Sequence, residues 1–389
     1  MLRKIERLVL FKDSDRLVVI DPEDDHPPAL NLFDMSTARL QGYSRLVREQ
    51  VEAGIVELYN YVFGALAADL TSKQGTAFAF VTRLMLSIPG ATIHTLRELM
   101  EENTKSLTHS RFADAIAALD PTARAFFENQ FYNNTAFTQT RQQLARRLYG
   151  VVQVPAFDRM LSAPKSKIDM FEAMQSGKVV LVNTSKSLLK TEASALFGRF
   201  MIAQALRAAY ERVAVPDHER RAAYLIIDEA SEYFDDSLET LLNQARKFNL
   251  GVVFAHQYLD QLDQKLRASV AANTSIKMAG GVSDRDARSL AADMRTNADF
   301  LTAQRKDNAK APQWSEFACY IRNHTPSAVS LRVPFFSLEN SAKVSDAELE
   351  ALKARNRMRY ASHPDESRPV ATVPATPPSG AAEPDDWRS

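Results

Sequence analysis

Leu225-Ile226-Ile227-Asp228-Glu229-Ala230 is an uninterrupted apolar run that stops on two adjacent carboxylates. It belongs to a longer run at residues 224–228, and four others share its character, at residues 16–21, 178–183, 251–257 and 275–279. Each is rich in β-branched residues and ends on a polar or small one. None alternates apolar with polar, so they predict strands buried on both faces, as in a parallel sheet covered by helices. Between the later runs lie helical patterns long enough for βαβ crossovers. Leu189, Ala193, Leu196, Phe200, Ala203, Leu206 and Tyr210 recur at helical spacing and predict one long amphipathic helix. Leu238, Leu241, Leu242, Ala245 and Phe248 predict a second, following Glu229.

Residues 37–175 offer only helical periods, for example Val51, Ile55, Leu58, Val62 and Leu66. These are broken at Pro89-Gly90 and at Asp120-Pro121, where Asp120 is a candidate N-cap with proline at the first helical position. An all-α subdomain inserted between the first and second strands is expected. Further on, Phe317, Cys319 and Ile321 alternate with polar residues, and Val329, Leu331 and Val333 do so again after turn residues 323–327. That pattern predicts a C-terminal β-hairpin. A charged helix is expected from Ser345 to Tyr360. The fold class is therefore α/β, divided as 1–36 (start of the core), 37–175 (helical), 176–340 (core), 341–360 (helix) and 361–389. The last segment holds six prolines and five acids and is expected to be disordered.

With 48 basic and 48 acidic residues, no net field draws the whole chain to nucleic acid or lipid. Any DNA contact must be local. Arg141, Arg146 and Arg147 are candidates, with a solvated helix face as the alternative. Cys319 is the single cysteine, which excludes an internal disulfide and a thiolate metal cluster and fits a reducing, cytoplasmic setting. The histidines lack ligand spacing, so no structural zinc is expected. No run reaches the ~18–20 apolar residues that cross a bilayer, so no membrane contact is expected from this chain.

An apolar strand ending in Asp-Glu places two carboxylates at a sheet's carboxyl edge. Asp228 is suited to hold a Mg²⁺ ion through water, and Glu229 to polarise a water attacking a terminal phosphate. Equally, buried strands end in acids because the chain returns there to solvent. Gln257 closes the run at 251–257, where an amide could bond both attacking water and phosphate, or simply face solvent. Arg246-Lys247 ends the predicted helix, where cations favour the macrodipole. An arginine there could also reach a neighbouring subunit's nucleotide.

Tyr224 to Ala230, Ala245-Arg246-Lys247, Ala255-His256-Gln257 and the stretch from Leu259 to Gly281 together resemble the FtsK–HerA superfamily of P-loop ATPases. The best match within it is to the coupling proteins of conjugative type IV secretion, of the TraD and TraG kind. Val19-Ile20-Asp21-Pro22 and Leu30-Asn31-Leu32-Phe33-Asp34 resemble segments that these proteins carry after the P-loop region. The resemblance implies a RecA-like core, a homohexameric ring, ATP and Mg²⁺ as cofactors, and DNA driven through the channel. Relaxase or secretion-system proteins would be partners, in the cytoplasm, with full-length relatives often anchored in the inner membrane. By position, Asp228 and Glu229 match the Walker B pair, Gln257 the sensor and Arg246 the arginine acting in trans. A non-catalytic scaffold derived from such an ATPase, and a HerA-type DNA-processing translocase, are the alternatives.

One part of the pattern is missing. A P-loop reads Gly-x4-Gly-Lys-Ser/Thr, because backbone N–H groups, a lysine and a hydroxyl must all reach the phosphates. Of twelve glycines only Gly177 precedes a lysine, and it enters a strand. The motif is expected either upstream of Met1 in a longer reading frame or lost by deletion. In both cases the chain alone should expose a strand edge and be poorly soluble.

Overall fold

The computed structural model describes residues 1–34, 37–64, 72–104, 106–133, 135–234, 246–309 and 313–362. β1 (Leu17–Ile20) and β2 (Val179–Val182) pair in parallel, as do β3 (Ala223–Ile227) and β4 (Leu250–Phe254). β5 (Ile276–Ala279), β6 (Lys306–Asp307), β7 (Trp314–Ile321) and β8 (Val329–Pro334) form an antiparallel sheet in which β7 pairs with each of the others. Among the described residues three sheets thus stand where the runs predict one mostly parallel sheet. Among the described residues no strand joins β4 to β5.

Burial corrects the sequence reading in a second way. Tyr224 and Ile226 are 71% and 72% exposed, and Val253, Ile276 and Met278 are also open to solvent. These strands are covered on one face only, although the sequences of β3 and β4 are apolar on both. The physical reason is that nothing described packs on the outer face of β3, β4 or β5.

The described residues between β1 and β2 are helical, including Arg45–Gly64, Ser72–Ser87, Ile93–Glu101 and Thr135–Val152. Val51, Ile55, Leu58 and Val62 are buried, while Leu66 lies outside the described residues. Phe33, Tyr59 and Phe63 form a triangle of rings with centroids 5.9 Å apart, and Phe78 stacks on Phe63 at 5.4 Å. Asp120 caps its helix, accepting from Thr122 N at 3.0 Å and Ala123 N at 3.1 Å. Asn31 fastens the segment after β1 to this region. Its side chain donates to the Ala91 and Pro164 carbonyls at 2.9 and 2.8 Å and accepts from Phe33 N at 2.7 Å. These hydrogen bonds replace those to water and so offset the cost of burying the amide.

Lys186–Glu211 forms the long helix, and Leu189, Ala193, Leu196, Phe200, Ala203, Leu206 and Tyr210 are all buried along it. Lys190, at φ 67° and ψ 169°, interrupts the first turns, so regular helix begins after it. At its far end Glu211 is fully buried and accepts from Arg39 Nε (2.8 Å), Tyr43 Oη (2.9 Å) and Arg207 Nη1 (3.0 Å). Arg39 also pairs with Asp169. The predicted helix at 238–248 falls largely on residues 235–245, outside those described.

The two chain ends interlock. Helix Asp346–Tyr360, opened by a capping box between Ser345 and Glu348, lies along the N-terminal segment. Phe11, Val344, Leu349 and Leu352 form a small buried cluster there. Asn356 bonds both Val19 N (3.0 Å) and Val19 O (2.9 Å), shielding the outer edge of β1. The ion pairs Lys12–Glu348, Arg359–Asp15 and Arg357–Asp24 surround this contact at 2.7 to 2.8 Å. The tail expected to be disordered lies outside the described residues apart from Ala361 and Ser362. No described helix is long and apolar enough to cross a membrane.

Candidate functional site

β3 and β4 run in parallel register from Ala223↔Leu250 to Ile227↔Phe254, so the residues following both strands emerge at the same edge. Asp228 and Glu229 leave β3 there. The strand at 251–257 ends at Phe254, three residues before Gln257, so Gln257 is a loop residue and not a strand terminus. Two backbone bonds continue the ladder past the strand ends, from Ala255 N to Ile227 O (3.0 Å) and from Ala230 N to Ala255 O (2.8 Å). They hold the two chains together beyond the sheet.

Glu229 adopts a left-handed backbone, φ 51° and ψ 47°. Residues other than glycine enter this region at a cost on the order of 1 kcal/mol, and such strain gathers at functional sites. Its amide bonds Asp228 Oδ1 at 3.2 Å, and its carboxylate accepts from Gln257 Nε2 at 2.7 Å. Gln257 is held in turn by its backbone N–H, which donates to Gln261 Oε1 at 2.8 Å. Asp228, Glu229 and Gln257 are therefore brought together, and all three are exposed.

Arg246 stands elsewhere. Its backbone belongs to the turn Arg246–Phe248 that leads into β4, at the amino edge of the strand pair. Five strand residues separate that edge from the carboxylates, roughly 17 Å at strand rise. The Arg246 side chain lies outside the described atoms. Arginines fix this turn through its carbonyls: Arg212 Nη1 donates to Phe248 O (3.0 Å), and Arg220 Nη1 to Lys247 O (3.1 Å).

The sequence reading missed the loop after β2. Asn183 Nδ2 donates to Asp21 Oδ1 at 2.8 Å, joining the ends of β1 and β2. The Thr184 and Tyr233 hydroxyls share a hydrogen bond at 2.7 Å, and Lys186 pairs with Glu232 at 2.6 Å. These contacts tie that loop to the turn following Glu229. The signal was present in Asn183-Thr184-Ser185, a polar stretch closing an apolar run as Asp228-Glu229 does.

The donor set suits part of a nucleotide site. Neither Asp228 nor Glu229 has a cationic partner among the described residues, and no described cluster of three or more ligating side chains could hold a metal unaided. A divalent cation at this edge would need water and phosphate oxygens to complete its shell. Asp228 could hold that hydrated ion, with Glu229 and Gln257 facing a reacting water. Among the described residues, none forms around them a cradle of backbone N–H groups with a lysine that would grip the phosphates.

The architecture is an α/β fold shared with a solved conjugative coupling protein. The chain matches the plasmid coupling protein TrwB in complex with ADP and Mg²⁺, with a TM-score of 0.53 at 13% identity, over 87% of this chain and 78% of that one. An unbound monoclinic form of the bacterial conjugative coupling protein TrwBdeltaN70 matches over 86% of this chain and 70% of that one, with a TM-score of 0.47 at 14% identity. No family model and no curated protein matches the sequence.

Proposed function

We propose that this chain is the hydrolysis half of a DNA-translocating ATPase of the conjugative coupling-protein kind. The observation that carries the reading is the meeting of Gln257 and Glu229 beside Asp228 at the carboxyl edge of a parallel strand pair. It occurs within a fold shared with a protein solved with ADP and Mg²⁺. In this reading Asp228 binds Mg²⁺ through water, Glu229 polarises the attacking water, and Gln257 senses the terminal phosphate. Arg246, at the opposite edge, serves a neighbouring subunit's nucleotide in a homohexameric ring that moves DNA. Relaxase or secretion-system proteins are the further partners.

The test is binding of a fluorescent ATP analogue with Mg²⁺ to the isolated chain, alongside Glu229→Gln. A half-site gives no micromolar binding to either protein. Micromolar binding that Glu229→Gln alters would mean that the chain carries a complete site, and the half-site account would fall.

A further inference from the structure

A cleft of about 450 Å³ opens where the helical region meets the segment after β1 and the end of the described chain, and it shares no residue with the β3–β4 edge. Helix Ile93–Glu101 contributes His94, Arg97 and Glu98 to its wall, and helix Pro155–Leu161 contributes Asp158 and Arg159. Asp25 and His26 close it from the side of β1. Backbone bonds from Ala29 N to Tyr360 O (2.7 Å) and from Leu30 N to Met160 O (2.8 Å) tie this joint together. The volume is that of a site for a small organic molecule.

His94, Asp158 and Ser162 are the residue types of a proton relay, and their geometry excludes one. His94 Nε2 lies 2.9 Å from Asp158 Oδ1 and 2.8 Å from Ser162 Oγ, so the acid and the hydroxyl share one ring nitrogen. A relay needs them on opposite nitrogens. The trio instead fixes the imidazole, with Nε2–H on the carboxylate, and leaves Nδ1 without a partner among the described residues.

The unmet hydrogen-bonding capacity of the cleft belongs chiefly to its cations. Asp158 accepts from His94 and from Ser162 Oγ at 2.9 Å, and Glu98 pairs with Arg111. Asp25 is the one lining carboxylate that makes no side-chain hydrogen bond among the described residues. Arg97 lies over the Tyr149 ring at 5.5 Å, and its ion pair with Glu101 spans 3.7 Å, too far for a hydrogen bond. The Arg159 and His26 side chains are exposed and have no partner among the described residues.

We propose that this cleft binds a small organic anion, a phosphate or carboxylate on a short chain that carries hydroxyl or amino groups. Arg97 and Arg159 take the oxyanion, whose paired oxygens match a guanidinium fork, with His26 as a further donor. Asp25 accepts from the hydroxyl or amine. The lining offers no Phe, Tyr or Trp ring for a nucleobase to stack on, which separates this ligand from the nucleotide of the ATPase reading. Because its contacts come from two helices and from the segment after β1, the bound anion fastens the helical region to the start of the core.

The experiment is calorimetric titration of the full chain with glycerol 3-phosphate, malate and inorganic phosphate at constant ionic strength, with sodium chloride as the blank. Glycerol 3-phosphate or malate gives one saturating event, and which of them does so assigns the oxyanion as phosphate or carboxylate. Arg159→Ala and His26→Ala, both at exposed side chains, melt with the parent chain and each weakens binding by about tenfold. Asp25→Asn weakens glycerol 3-phosphate or malate while leaving inorganic phosphate as tight or tighter, since it removes an acceptor together with a repelling charge. The two sites share no residue, so this binding is independent of the result with the ATP analogue. Absence of saturation with all three anions would overturn the proposal, as would affinities that neither Arg159→Ala nor His26→Ala changes.

Discussion

Gln257 donates its side-chain N–H to the Glu229 carboxylate at 2.7 Å, across the ends of two parallel strands and 28 residues of sequence. The bond links the two groups to which the proposed function assigns the attacking water and the terminal phosphate, while both remain exposed. Exposed substitutions away from the core usually change stability by less than about 0.5 kcal/mol. Glu229→Gln and Gln257→Ala should therefore melt with the parent chain. In an assembled, P-loop-completed enzyme, Glu229→Gln should lower phosphate release by about 10²–10⁴ with nucleotide binding retained. A variant that hydrolyses at the parent rate would remove Glu229 from the chemistry.

Much of this edge was legible in the sequence, because an apolar run ending in charge is a local signal. Leu225 to Glu229 needed no tertiary information. The length of the next strand did not follow: Ala255-His256-Gln257 continues the run in composition but bends into a loop held by Gln261. Two-sided burial did not follow either, since Tyr224 and Ile226 lie on a face that no described residue covers. Asn31, matched as part of a family segment, is explained by its buried hydrogen bonds to Ala91, Pro164 and Phe33.

Glu211 tests the buried charge network at the end of the long helix. Its carboxylate is out of contact with water and bonds Arg39, Tyr43 and Arg207. Removing one member of a buried ion network strands the others, which typically costs about 3–5 kcal/mol, a large share of the roughly 5–15 kcal/mol margin of a folded protein. Glu211→Ala should lose about 3 kcal/mol in urea denaturation. A loss below about 1 kcal/mol would show that the arginines find water or another acid instead.

Acid should release the chain ends from each other. The Lys12 hydrogen bond, with the backbone and hydroxyl of Ser345, holds Glu348 at a pKa of about 2, against 4.5 for the free group. A depressed folded-state pKa means that its stabilisation is fully present above the free value. It is lost as pH falls from about 4.5 through 2. Hydrogen exchange in helix Asp346–Tyr360 should accelerate over that window, and Glu348→Gln should make it fast throughout. Exchange that stays flat on acidification of the parent chain would mean that Phe11, Leu349 and Leu352 hold the clamp unaided.

Arg141 shows how a charge read as surface becomes core. It was a candidate DNA contact with a solvated helix face as the alternative, and the structure supports neither reading. The residue is buried, its guanidinium donates to Glu102 O, and it lies 4.8 Å from the centre of the Phe131 ring. Burial holds its pKa below the usual arginine value. Arg146, by contrast, is exposed. Arg141→Ala should lower stability by about 1–3 kcal/mol through the carbonyls it leaves unpaired and the packing it removes. Arg146→Ala should leave stability alone. If DNA binds this helix, a shift assay at fixed salt should lose affinity with Arg146→Ala, while Arg141→Ala weakens it only in step with unfolding. The reverse order, with Arg141→Ala folded and unable to bind, would place Arg141 at the DNA surface after all.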